Sequence, residues 1–139
     1  MLSSIRVLQI CDEAGALAGK ILGELRADGV KVETPGGDLH GRRPPYLGGV
    51  RDPERSLAWL ALNTSKRGIT LDPEPSAGRA LLQRLLDHTD VLLDTFAPGT
   101  LEAWGLGWDA MQRQFPRLVR CAITPFGQTG PHSQLHARD

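Results

Sequence analysis

The segment DVLLDTFAPGTLEAWGLG, residues 90–107, passes from a strand to a helix within a few residues. Val91, Leu92 and Leu93 form an apolar run of strand type. Thr95-Phe96-Ala97-Pro98-Gly99 is turn chemistry, and the short helical piece that follows holds Leu101 and Trp104. In open α/β sheets, ligands sit outside the carboxyl ends of the strands, so this turn is the first candidate for a ligand-contacting edge. Upstream, residues 77–88 place Leu81, Leu82, Leu85 and Leu86 at helical spacing, with Ser76 positioned as an N-cap. Downstream, Trp108 to Gln114 reads as a short helix with Trp108 and Met111 on one face, ended by Pro116. Leu118 to Thr124, LVRCAIT, is a further strand. It runs into a Gly/Pro-rich turn over 125–131 and a polar, aperiodic tail over 132–139.

The N-terminal part repeats the alternation. Ile5 to Cys11, IRVLQIC, fits a strand buried on both faces. The next segment, 14–27, puts Leu17, Ile21 and Leu25 on one apolar helix face with Ala18 and Leu22 beside them. Val30 to Glu33 is a second strand, closed by Thr34-Pro35-Gly36-Gly37-Asp38. A β-α-β unit of this kind builds parallel sheets through right-handed crossovers. The chain then turns irregular from Asp38 to Ser56, with Arg42, Arg43, Arg51 and Arg55. Such a loop suits either a phosphate contact or a solvated basic surface. An apolar patch around Trp59 spans Leu57 to Leu62, and a short strand over Ile69 to Asp72 is stopped by Pro73 and Pro75. The order predicts an α/β, Rossmann-like fold, with a mostly parallel sheet flanked by helices in a single domain over 1–139.

Composition narrows the function classes. The 16 basic and 16 acidic residues give a formal charge of zero, which argues against a general nucleic-acid binder. No apolar run reaches membrane-spanning length and no secretory signal is visible, so the expectation is a cytoplasmic protein without membrane contact. Cys11 and Cys121 do not make a disulfide framework and read as buried, reduced thiols.

Three chemistries fail on their residues. A dinucleotide site wants G-x-G-x-x-G after the first strand and an acid about 20 residues on. Glu33 stands at the right place, but Gly15 has no glycine partner at Glu13 or Leu17. A turn glycine and a strand-end acid without a ligand explain both. His132, His136 and Asp139 share metal-ligand spacing, yet lie in a tail without a packing face, so no metal is expected. No G-x-S-x-G elbow is present, and neither cysteine has a histidine nearby in sequence.

Several motifs in fixed order carry a resemblance. They are Lys31-Val32-Glu33-Thr34-Pro35-Gly36-Gly37-Asp38, Lys66-Arg67-Gly68-Ile69-Thr70-Leu71-Asp72, residues 90–107, Phe115 to Val119, and Phe126-Gly127-Gln128-Thr129-Gly130-Pro131. With these the chain resembles the N-terminal part of the family III CoA-transferases, the group that includes formyl-CoA and carnitine CoA-transferases and α-methylacyl-CoA racemase. The resemblance implies a Rossmann-like region that binds coenzyme A, and interlocked dimers. It implies exchange of CoA between an acyl-CoA and a carboxylic acid. The CoA-contacting residues it implies are Leu71, Asp72, Asp94, Thr95, Phe96, Trp104 and Arg138. An aromatic at a strand end can stack on adenine, and turn amides can meet phosphate.

The departures from the family pattern are also specific. The turn Ala-Gly-Pro is Ala14-Gly15-Ala16 here, and the asparagine before the phenylalanine is Thr95. Thr34 and Ala103 stand where the family often has arginines. Each lost charge-assisted bond is worth roughly 1.5–3 kcal/mol, so CoA affinity depends on compensation from Arg42 or Arg43. Arg138-Asp139 replaces the racemase His-Asp pair. The aspartate that attacks the thioester in such transferases lies downstream of residue 139. The resemblance therefore predicts a CoA-binding part without its own nucleophile, partnered as a homodimer or by a complementing chain, or else a non-catalytic CoA- or nucleotide-binding module.

Overall fold

A computed structural model describes residues 1–38 and 43–135. Five strands, β1 (Arg6–Ile10), β2 (Asp28–Glu33), β3 (Lys66–Thr70), β4 (Val91–Asp94) and β5 (Val119–Ala122), form one sheet in the order β3-β2-β1-β4-β5. Every strand pair is parallel, a stricter arrangement than the mostly parallel sheet expected from sequence. The helices are α1 (Glu13–Glu24), α2 (Leu57–Leu62), α3 (Ser76–Leu86), α4 (Thr100–Ala103) and α5 (Trp108–Gln114). Among the described residues no helix is long and apolar enough to cross a membrane.

Two apolar layers sandwich the sheet. Leu8, Val32 and Leu92 point to one face, against Leu82 and Leu86 of α3, Leu101 and Leu106, and Met111 and Phe115 at α5. Val7 and Leu93 point to the other face with Ala27, joined by Ala18 and Leu22 of α1. The register sets Cys121 beside Leu93, on the α1 face. Among the described residues no helix covers β5 there, and Val119 is 61% exposed.

Several local expectations are corrected. Leu17 and Ile21 do not form the inner face of α1; they are 55% and 49% exposed, and Leu25 is exposed too. Gly15, Ala16, Gly19 and Gly23 are buried instead. At Gly19 the helix runs so close to the sheet that a Cβ would collide with the Gln9 carboxamide. Close approach through these small residues, with Ala18 and Leu22 against the core, seats this helix. Trp108 is likewise exposed while Met111 is buried, so they do not share an inner face. Strand β3 begins at Lys66 and ends at Thr70, earlier than predicted, because an edge strand tolerates charged residues. Arg67 there makes an exposed two-point contact with Asp28. The cap of α3 is Pro75, with Ser76 its first helical residue. The patch around Trp59 is a helix: the Ser56 hydroxyl accepts from the Trp59 N–H at 3.3 Å. Lys66 Nζ donates to Leu62 O and Lys20 Nζ to Ala61 O, both at 2.8 Å, so two cations hold its carboxyl end. Cys11 is half-buried and Cys121 exposed, so the reading of two buried thiols fails for Cys121.

Candidate functional site

Starting from β1, the chain builds outward through β2 to β3 and then returns to the other side of β1 with β4. The two crossover directions diverge between β1 and β4, and this is where open α/β sheets leave a crevice. A cavity of about 220 Å³ lies there, at the carboxyl ends of β1, β2 and β4. Its walls include Ile10, Cys11 and Asp12 after β1, Lys31, Glu33 and Thr34 on β2, and Thr95 and Phe96 after β4.

The β1 and β4 sides are stitched together. The Asp12 N–H donates to Thr95 Oγ1 at 2.9 Å, while Asp12 Oδ1 accepts from the Ala14 N–H and caps α1. Beneath Thr95, the Asp94 carboxylate has no exposure at all and is gripped by Arg120 of β5. Arg120 Nε donates to Oδ2 at 2.7 Å and Nη2 to Oδ1 at 3.1 Å. Asp94 Oδ1 also accepts from the Phe96 N–H at 3.3 Å. The Phe96 ring packs edge-on against Trp104, centroids 5.1 Å apart and planes at 76°. Its carbonyl accepts from Gln128 Nε2 at 3.1 Å.

On the β2 side the buried Lys31 ammonium pairs with Asp38 and lies 3.6 Å from Glu33 Oε1. Burial lowers the Lys31 pKa, and the nearby Glu33 opposes the shift. Glu33 also accepts from the Trp59 indole N–H at 3.3 Å, so this strand-end acid serves the packing of α2. Burial pushes the Cys11 thiol up to about 12, with Asp94 and Asp12 adding to the rise. Cys11 is thus held as a neutral thiol, not a nucleophile. Arg43 Nη1 pairs with Glu13 Oε2 at 2.5 Å at the start of α1, with both side chains exposed.

The structure therefore brings four of the sequence-selected residues together: Asp94, Thr95, Phe96 and Trp104. Only Thr95 and Phe96 of these line the crevice. Leu71 and Asp72 lie beyond the end of β3, on the far side of β2. Leu71 lines a separate groove of about 460 Å³ between β3 and α3, with Ile69, Leu81 and Leu85. Asp72 Oδ1 accepts from the Glu74 N–H, and its carbonyl packs against Gly78 of α3 so closely that no Cβ fits between them. Thr34 is exposed and donates to Gly37 O at 3.5 Å; Ala103 is exposed at the end of α4. Arg42, His136, Arg138 and Asp139 lie outside the described residues.

Sequence reasoning missed Arg120, Gln128, Lys31 and Asp12. Arg120 carried a signal: a cation inside the apolar run LVRCAIT needs a buried partner, and Asp94 ends the neighbouring strand. The model of the family described as CoA-transferase family III matches residues 2–139. The chain belongs to this family. Among its CoA-transferase relatives, the succinyl-CoA–D-citramalate CoA-transferase of Chloroflexus aurantiacus is 39% identical over 132 residues, which is 94% of this chain and 32% of that protein. The succinate–glutarate CoA-transferase of Agrobacterium fabrum is 36% identical, over 99% of this chain and 36% of its own length. The crystal structure of a CAIB/BAIF family protein from Brucella suis superposes with a TM-score of 0.85 at 34% identity, over 96% of this chain and 36% of that one. This family III chain thus spans about a third of the length of the curated relatives it matches.

Proposed function

We propose that this chain is the coenzyme A-contacting part of an enzyme that moves CoA between an acyl-CoA and a carboxylic acid. One observation carries the reading: the crevice at the switch point is walled on its β4 side by Thr95 and Phe96, within a turn that carries part of the family resemblance. Phe96, backed by Trp104, offers an aromatic face for the adenine or the pantetheine arm. The exposed Arg43–Glu13 pair contributes little to stability, so Arg43 can leave it to meet a phosphate. Arg42 in the same loop is a second candidate. Coenzyme A enters as substrate, and no metal is needed for the exchange. Leu71, Asp72 and Arg138 remain proposed contacts, made at the β3 end and in the tail.

Residues 1–139 act in this reading as one CoA-binding unit that lacks a nucleophile of its own. Catalysis then requires a segment or chain supplying the attacking carboxylate. Some relatives are named as subunits, among them the alpha and beta subunits of the succinyl-CoA–L-malate CoA-transferase of Chloroflexus aurantiacus. That supports a complementing chain here, with a homodimer the other arrangement and the cytoplasm the expected compartment.

The test is calorimetric titration with CoA at low and moderate salt. Micromolar binding that weakens as salt rises is expected, because arginine–phosphate contacts are screened. No binding at millimolar CoA refutes the reading. Turnover by this chain alone, with succinyl-CoA and an acceptor acid, refutes the need for a supplied nucleophile.

A further inference from the structure

Phe96 is the residue through which the crevice wall reaches the aromatic pair; both of its backbone polar groups are bonded, and the carbonyl is held from outside its own turn. Its N–H donates to Asp94 Oδ1, and Asp94 is locked by Arg120. Its carbonyl accepts from Gln128, 32 positions away on the turn that follows β5. Gln128 is half-buried, and this is its hydrogen bond to the rest of the protein. The Gln128 side chain adds little to the apolar core, which is complete without it. It instead bonds the peptide group that follows Phe96, whose ring meets Trp104 at 76°.

We infer that Gln128 is a positioning residue of the candidate site: it orients Phe96, and through Phe96 the ligand-facing wall between β1 and β4. This rests on the crevice being the CoA site. The physical reason is that a strand-to-helix turn has few backbone bonds of its own. Thr100 N–H to Ala97 O, at 3.1 Å, is the nearest one within this turn. A side chain reaching in from another turn therefore sets the Phe96 conformation. Ligand on Phe96 and donor on its carbonyl become coupled, so loosening one weakens the other.

The experiment compares Gln128→Met, which keeps the length and removes the donor, with Gln112→Met on the exposed side of α5 as control. CoA affinity, the near-ultraviolet circular dichroism of the aromatic pair and the thermal midpoint are measured for each, with and without Phe96→Leu. Gln128→Met is expected to bind CoA roughly 5–10-fold more weakly, the loss of about one positioned hydrogen bond. It is expected to alter the aromatic spectrum, while Gln112→Met does neither. In the Phe96→Leu background, Gln128→Met is expected to change neither the spectrum nor the affinity further, because its effect passes through that ring. Equal CoA affinity and an unchanged spectrum overturn the inference and leave the CoA reading standing. Absence of CoA binding by the unaltered chain overturns the CoA reading instead. The spectral comparison then still decides whether Gln128 sets the Phe96 orientation.

Discussion

Removing the Arg120 side chain as Arg120→Met leaves the Asp94 carboxylate buried without its cation. The pair is two-pointed at 2.7 and 3.1 Å, and the carboxylate has no solvent exposure. Stranding a buried charge costs about 3–5 kcal/mol, against a total stability of about 5–15 kcal/mol for an ordinary domain. In a chain of this size that lowers the melting temperature by roughly 10–15 °C. Asp94→Leu alone strands the guanidinium, which at 7% exposure has little water to turn to. The double variant Asp94→Leu/Arg120→Met removes both charges and keeps the volume. It should recover to within about 1–2 kcal/mol of the parent, the remainder being the lost Phe96 N–H acceptor. The coupling energy, the two single costs less that of the double variant, is then at least about 4 kcal/mol, read by urea unfolding of the four proteins. A coupling below about 0.5 kcal/mol, or Arg120→Met costing less than about 1 kcal/mol, refutes the placement of this pair inside the core.

The two thiols should separate kinetically: Cys121 reacts at once with an aromatic disulfide reagent, whereas Cys11, half-buried and raised to about 12, reacts far more slowly because little of it is thiolate, and equal rates refute that raised pKa. Between pH 9 and 12 the unfolded chain ionises Cys11 while the folded chain does not, so this group makes stability fall as pH rises through that window. Lys66 acts with the opposite sign. Burial, aided by Lys31, lowers it to about 8, the unfolded chain binds the extra proton between about 8 and 10.5, and its contribution to stability rises there. Denaturant midpoints across this range for Cys11→Ala, compared with Cys11→Ala/Lys66→Met, isolate the Lys66 contribution; a flat difference refutes it. Gly78→Ala should destabilise by about 1–3 kcal/mol despite its helix propensity, because the obstacle is the Asp72 backbone carbonyl and not a side chain that can rotate. A stabilised Gly78→Ala protein in thermal melts would refute that close approach. Thr95→Val should cost about 1 kcal/mol by leaving the Asp12 N–H without its acceptor, and a neutral result in urea unfolding would count against the β1–β4 stitch.

The alternation of strands and helices was legible because parallel strands buried on both faces write continuous apolar runs, as in IRVLQIC and LVRCAIT. The turn at Asp94–Phe96 was legible as a candidate edge for the same reason: the apolar run stops where the helix begins. Helix α1 was misread because periodicity counts large apolar residues, whereas its contact is made by glycines that carry no hydropathy signal. The partner of Asp94 was not legible for a different reason. A polar residue at a strand end reads as a ligand contact, and only the register of β4 against β5 shows that Arg120 takes it up. Leu71 and Asp72 are adjacent to the candidate site in motif order but are separated from it by a strand, and strand order is not written in any local pattern.

The bare α1-side face of β5 has a practical outcome for anyone handling this protein. Val119 and the Cys121 thiol lie on a strand whose outer hydrogen-bonding row has no partner among the described residues. Two molecules meeting edge to edge can pair backbones there and, in air, become covalently linked through sulfur. Storage at high concentration without reductant therefore favours a dimer linked through Cys121. Keeping the thiol reduced, or replacing Cys121 with serine, keeps the colloidal history of a sample out of its binding curves.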